Sequence, residues 1–241
     1  MPVGFDFTDQ VVIVTGATGN LGGAVARAFL AAGARLVLPD RDAGRLASLF
    51  PELSDPGQHY LAAPADLSRP EEVAGLVEAA LGRFGGIDVL VNTVGGFRAG
   101  TPPHETPLES WDFMLDLNAR TTFLTSRAVV PSMLERGRGK IVNTAARSAL
   151  VGGANDVAYS VSKSAVARLT ESFAAAYKAR GINVNAILPG TIDTPQNRAA
   201  MPKADFSRWV QPESIAQVVL FLASDAAGPI HGALVRVYGL S

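Results

Sequence analysis

Along this chain, short apolar runs alternate with stretches of helical periodicity. Val11-Val12-Ile13-Val14 is apolar at every position, as a strand buried on both faces must be. Leu21, Val25, Ala28, Phe29 and Ala32 then fall on one helical face, and Gly33 stops the helix. Leu36-Val37-Leu38 makes a second strand. The pattern continues with a short helix over 42–50 and a third strand over 60–63. Pro70 to Phe84 reads as a helix with proline in its first turn, and Ile87 to Val91 as a fourth buried strand. A loop rich in Gly and Pro covers 95–107. Helices follow over 108–117 and 119–136, with Asn118 at their junction. Lys140 to Thr144 is the fifth strand, and a loop over 150–156 leads into a long helix from Ala158 to Arg180. Ile182 to Leu188 is the sixth strand, 191–211 an irregular segment, Pro212 to Ala223 a last helix and Leu234 to Tyr238 a last strand. Such alternation predicts an α/β fold, a doubly wound parallel sheet of about seven strands with helices on both faces. No linker or second core interrupts it, so residues 1–241 are expected to form one domain. Ligands of such sheets bind beyond the carboxyl ends of the strands.

Composition narrows the partners. The net charge is −1, and no basic run supports nucleic-acid binding. There are no cysteines, which excludes disulfides and thiolate chemistry. His59, His104 and His231 are scattered, so no metal site is expected. The first residues lack a basic region followed by an apolar core, and no apolar run reaches membrane-spanning length. A cytoplasmic protein acting on a small molecule, without a membrane partner, is the expectation.

The candidate chemistry follows the strands. Gly16, Gly19 and Gly22 lie between the first strand and the first helix, where bare backbone and a helix N-terminus suit a phosphate. Asp40 follows the second strand, where a carboxylate can bind the ribose hydroxyls of an adenosine. Asp66-Leu67 follows the third strand, and this Asp can accept from an adenine amino group. Asn92-Thr93-Val94-Gly95 follows the fourth, with Gly95 allowing close backbone approach. Asn118 either kinks its helix or holds a water. Tyr159 and Lys163 stand four apart on one helical face. An ammonium near a phenol favours the phenolate, which suits the pair to proton exchange with an alcohol or alkoxide.

In their order along the chain, these motifs and Pro189-Gly190-Thr191-Ile192-Asp193-Thr194 resemble the short-chain dehydrogenase/reductases, from Val11 to about Gly239. That resemblance implies a Rossmann-type domain binding a nicotinamide dinucleotide. It implies cofactor contacts from Gly16, Thr18, Gly19, Asn20, Leu21, Gly22, Asp40, Arg41, Asp66, Leu67, Asn92, Val94, Gly95, Tyr159, Lys163, Pro189, Gly190, Ile192 and Thr194. By the same resemblance Tyr159 is the general acid/base, Lys163 holds the nicotinamide ribose, and Asn118 supports a water in a proton relay. It also implies a homotetramer, or a homodimer, built through the helices around 108–136 and 158–180. Asp40 favours NAD(H), and the adjacent Arg41 keeps NADP(H) as the alternative.

Three positions depart from the family pattern. Asn20 stands where the second glycine is usual, Thr93-Val94 replaces Asn-Ala, and Ala146 occupies the place of the catalytic serine, thirteen residues before Tyr159. Ser148 is the nearest replacement. The stretches 146–150 and 193–209 resemble quinonoid dihydropteridine reductases, which also lack that serine. Phe97 and Trp209 are candidate walls of a flat substrate slot. The readings left open are a carbonyl/alcohol substrate, a conjugated ring, a 3-oxoacyl thioester, and a non-catalytic dinucleotide-binding regulator.

Overall fold

The computed structural model describes residues 4–53, 59–62 and 65–241. Seven parallel strands form a single sheet: β1 (Val11–Thr15), β2 (Arg35–Pro39), β3 (Tyr60–Ala62), β4 (Val89–Asn92), β5 (Gly139–Thr144), β6 (Ile182–Pro189) and β7 (Leu234–Val237). Their order is β3-β2-β1-β4-β5-β6-β7. The expected end of the third strand, Ala63, lies outside the described residues. After β3 the chain returns past β1, so the order reverses between β1 and β4. That switch opens a crevice at the carboxyl ends of these strands.

Alternation along β1 assigns the two faces. Val12 and Val14 pack with helices α1 (Asn20–Ala31) and α8 (Pro212–Ala223), through Val25, Phe29, Ile215 and Val219. Val11 and Ile13 face the opposite core, with Val73, Leu76 and Val77 of α3 (Pro70–Phe84) and Val129 and Met133 of α5 (Thr121–Arg136). A strand between two helical layers has no polar face, which is why β1 reads as a continuous apolar run. A short helix, α2 (Ala43–Leu49), follows β2, and the long α6 (Val157–Tyr177) precedes β6.

Two regions depart from the predicted elements. The two helices expected to meet at Asn118 are continuous: α4 (Leu108–Met114) passes through a π-helical turn, Leu115–Arg120, into α5. The irregular segment contains a short helix, α7 (Pro195–Ala200), capped by Thr194, whose Oγ1 accepts from the Asn197 amide at 3.1 Å. Thr followed by Pro is a helix-start signal that could have identified it.

Candidate functional site

The glycine turn is shaped by close approach. Gly16 has φ +70°, and a side chain on Gly22 would collide with the Gly16 carbonyl and the Thr93 side chain. Gly19, at the N-cap of α1, offers no side chain to its first-turn amides, and no acidic residue lies in that turn. These amides therefore face the crevice ready for an anion. The Asn20 amide donates to Gln196 Oε1 at 2.8 Å, tying the turn to α7. Nothing in the local sequence pattern signals this link, because its partners are 176 residues apart. Leu21 packs against the core below.

Asp40 stands at the end of β2 with both oxygens held. Oδ2 accepts from Thr18 Oγ1 at 2.6 Å and Oδ1 from the Asp42 amide at 2.9 Å. Arg41 is exposed beside it. Asp66 Oδ1 accepts from the Ser68 hydroxyl and amide, at 2.7 and 2.9 Å, and these bonds hold its carboxyl below the usual range. Charge from Arg41 and Arg69 adds to the effect. Leu67 is buried in the core.

Asn92 is placed at the carboxyl end of β4, but its side chain turns into the protein. Nδ2 donates to Asn143 Oδ1 at 2.9 Å, and Oδ1 accepts from Thr125 Oγ1 at 2.8 Å. Asn143 in turn donates to Thr170 Oγ1 of α6 at 2.9 Å. This buried ladder fixes α5 and α6 to the sheet, and only the backbone of Asn92 remains for a ligand. The amide of Val94 bonds Thr15 Oγ1 at 3.3 Å.

Gly95, Asn118 and Lys163 meet at one point. A side chain on Gly95 would lie 2.8 Å from Asn118 Oδ1 and 3.1 Å from Lys163 Nζ. Asn118 is fully buried in the π turn. It clamps Gly96 through both its amide groups, at 3.0 and 3.2 Å, and donates to Ser162 Oγ at 3.0 Å. The wide turn aims this side chain at the loop, so the junction residue neither breaks the helix nor faces solvent. Lys163 donates to the Thr144 carbonyl at 2.9 Å.

Tyr159 packs edge-on against Phe97, with ring centroids 4.8 Å apart, and its hydroxyl bonds none of the described residues. Burial pushes the phenol up to about 12, and the Asp156 carboxylate adds to the rise. Burial also pulls the Lys163 ammonium down to about 8. The expectation that the ammonium lowers the phenol is thus reversed in the protein by itself. Both groups lose water, and desolvation is the largest cause of each shift.

Ala146 is buried in extended backbone, past the end of β5. Ser148 lies in the following turn, with its hydroxyl 3.4 Å from Asp156 Oδ2. Phe97 and Arg98 line a cavity of about 430 Å³ together with Asp156 and Ser110. Trp209 does not meet Phe97; its ring pairs with Phe206 at 4.8 Å. The segment carrying it is clasped by Asp193, which accepts two bonds from Arg198 and one from Gln211 at 2.6–2.7 Å. These bonds hold Asp193 down at about 2. Ile192 pairs with Val210, and its carbonyl accepts from Asn197 at 2.8 Å. Pro189 ends β6, and the space beside Gly190 is taken by Tyr238 and Ser241. No group of three or more potential metal ligands exists among the described residues, and no helix there is long and apolar enough to cross a membrane.

A glycine-lined helix N-terminus, a fixed carboxylate one strand away and a Tyr/Lys pair across the switch point together define a dinucleotide-dependent oxidoreductase. Comparison with known proteins agrees: residues 10–205 match the short chain dehydrogenase family model. The chain belongs to that family and is an NAD(P)-dependent oxidoreductase. It is 35% identical to cis-4-hydroxycyclohexanecarboxylate dehydrogenase of Sinomonas cyclohexanicum, over 98% of both chains. It is 37% identical to D-threitol dehydrogenase of Mycolicibacterium smegmatis, over 97% of this chain and 94% of that one. With 3-oxoacyl-[acyl-carrier-protein] reductase of Synechocystis sp. it shares 35% identity over 96% of each. The crystal structure of gox2181 superposes with a TM-score of 0.90 at 30% identity, covering 97% of this chain and 96% of that one.

Proposed function

We propose that this protein uses NAD(H) to interconvert a small secondary alcohol and its ketone, with Tyr159 exchanging the proton. The observation that carries the reading is the convergence of Gly95, Asn118 and Lys163 beside Tyr159. Two features fit a dinucleotide: the bare, closely packed backbone at Gly16 and Gly22 beside the α1 amides, and the side-chain-free backbone at Gly95 next to the Asn118 amide and the Lys163 ammonium. The α1 amides would hold the pyrophosphate, Asp40 the adenosine ribose hydroxyls and the free Oδ2 of Asp66 the adenine amino group. Lys163 would hold the nicotinamide ribose, with Ile192 backbone and the Thr194 hydroxyl at the carboxamide and pyrophosphate. When bound, the dinucleotide supplies or accepts the hydride.

The rest belongs to the chain. Tyr159, kept protonated, gives its proton to the oxygen of a carbonyl under reduction and takes it back in the reverse direction. Lys163 compensates charge beside the phenol, and Asn118 would support a relay water. Asp40, held by Thr18, opposes a 2′-phosphate and sets the preference for NAD(H). Relatives named for a hydroxycyclohexanecarboxylate, a threitol and a 3-oxoacyl group support an oxygenated carbon as the reacting centre.

One observation favours a second reading. With Ala146 in place of a hydroxyl donor and Ser148 turned to Asp156, a conjugated ring that spreads charge, such as a quinonoid dihydropterin, would need the missing donor less. The whole chain would act as one dinucleotide-binding domain, with 191–211 as the substrate segment. Exposed Phe113, Phe123 and Val161 on α4–α6 suit assembly into a homotetramer or homodimer through these helices. A cytoplasmic location fits this chemistry. Following 340 nm absorbance with NADH or NADPH, against cyclic ketones, 3-oxoacyl thioesters and a quinonoid dihydropterin, tests the reading. NADH-dependent turnover of a ketone is expected, and no turnover with any of them would refute it.

A further inference from the structure

Two buried side-chain polar atoms have no hydrogen-bonding partner among the described residues: Nη1 of Arg136 and Oγ1 of Thr144. The first sits at the amino-terminal end of the sheet, on a guanidinium already paired with Asp88. The second lies at the opposite end, on the last residue of β5, where a ligand of this fold binds. Thr144 is 9% exposed. A buried hydroxyl without a partner is costly, and native proteins rarely keep one without a use. Valine has the same shape and would fill the position without that cost.

The surroundings of the hydroxyl indicate what it serves. The carbonyl of this same residue accepts from Lys163. Thr144 pairs in register with Ile187 of β6, and β6 leads directly into Ile192 and Thr194. Strand alternation separates Thr144 from Asn143, which bonds α6, and aligns it with Val142 and Ile187 toward the α1/α8 layer. The hydroxyl therefore stands on the far side of β5 from α6, at the carboxyl end of the strand and beside β6.

We infer that the Thr144 hydroxyl is a binding group for the nicotinamide end of the dinucleotide, bonding its ribose or carboxamide. A hydroxyl can both donate and accept, so it matches either. This inference rests on the proposed use of NAD(H) and adds a contact that family motifs do not mark. The residue escaped the sequence reading because a Thr ending a strand is ordinary, and its isolation is visible only in three dimensions.

Titrating NADH and ADP, which lacks both the nicotinamide and its ribose, into wild type, Thr144→Val and Thr144→Ser tests it by calorimetry, without turnover. Thr144→Val should weaken NADH about 3- to 10-fold, the size of one hydrogen bond, and leave ADP within about 2-fold. Thr144→Ser should stay near wild type for both. The unliganded Thr144→Val protein should melt no lower than wild type, since it loses an unsatisfied group. Equal NADH binding by wild type and Thr144→Val would overturn the inference, as would equal weakening of NADH and ADP. A lower Tm for Thr144→Val would show that the hydroxyl is already bonded within the protein, and would also overturn it. Failure of wild type to bind NADH would instead remove the functional reading itself, and the inference with it.

Discussion

Nζ of Lys163 donates to the carbonyl of Thr144 at 2.9 Å, and this is its one hydrogen bond to the described residues. An ammonium so buried, with a single neutral acceptor, disfavours its own charge, and its pKa falls to about 8. Between about pH 8 and 10 the unfolded chain keeps a proton on this lysine that the native state releases. The unfolded state binds more protons, so stability should rise with pH there, by at most about 1.4 kcal/mol per unit. Below pH 8 the penalty is fully present. Above pH 10 the raised Tyr159 opposes the trend, because the unfolded phenol ionises first. Lys163→Met should flatten the rise. Denaturant midpoints at pH 7.5 and 9.5 for both proteins check this, and parallel profiles would contradict the assignment.

The hydrogen bond from Thr18 fixes the Asp40 carboxylate at 2.6 Å, and in the proposed function this carboxylate opposes a 2′-phosphate. Wild type should therefore bind NADH more tightly than NADPH, and Asp40→Ala should narrow or reverse the ratio by weakening NADH and relieving repulsion of NADPH. Thr18→Val should act in the same direction with smaller effect, on the order of one hydrogen bond. Fluorescence titration with both dinucleotides measures it, and tighter NADPH binding by wild type would refute the preference.

Asp156 accepts from the Gly153 amide and Ser160 Oγ, both at 2.8 Å, and its charge adds to the raised pKa of Tyr159. Asn in its place keeps acceptors for these donors and removes the charge. In alcohol oxidation, where the phenol must lose its proton, the acid limb of the kcat/KM profile should move to lower pH in Asp156→Asn. A profile that stays in place would mean that Asp156 does not act on the phenol.

Ala146 leaves the reacting oxygen without a usual donor, and Ser148 is bonded to Asp156 instead. Ser148→Ala should then change kcat by less than about 3-fold, because it removes no donor from the substrate. Ala146→Ser should raise activity on simple ketones more than on a planar conjugated substrate. A collapse of ketone activity in Ser148→Ala would show that Ser148 has taken over the missing role.

The sheet and its helices were legible because β1, β2 and β4 are dense apolar runs and several of the helices start at Pro or stop at Gly. The Pro70–Phe84 and Pro212–Ala223 helices match their predicted bounds. Tyr159, Lys163 and Gly95 stood out as candidates by their spacing and order, and the structure brings Gly95 close to Lys163. Other features were not legible. Asn92 reads as a ligand contact until Asn143 and Thr125 are seen to occupy its amide. The Asp193–Arg198–Gln211 clasp and the Asn20–Gln196 link depend on how the loops close over the crevice. The direction of the Tyr159 shift depends on burial, which spacing alone cannot show. Phe97 and Trp209 are both aromatic residues on loops after strands, yet only Phe97 reaches the tyrosine.

The central claim is that Tyr159 supplies the proton while the rest of the site holds the dinucleotide. Tyr159→Phe tests it most directly, since the ring and its contact with Phe97 are kept and only the hydroxyl is lost. Single-turnover reduction and NADH titration should be measured on the same preparation. The account predicts a fall in rate of roughly 10²–10⁴ with NADH affinity unchanged within about 2-fold. A Tyr159→Phe protein that turns over at wild-type rate would contradict it.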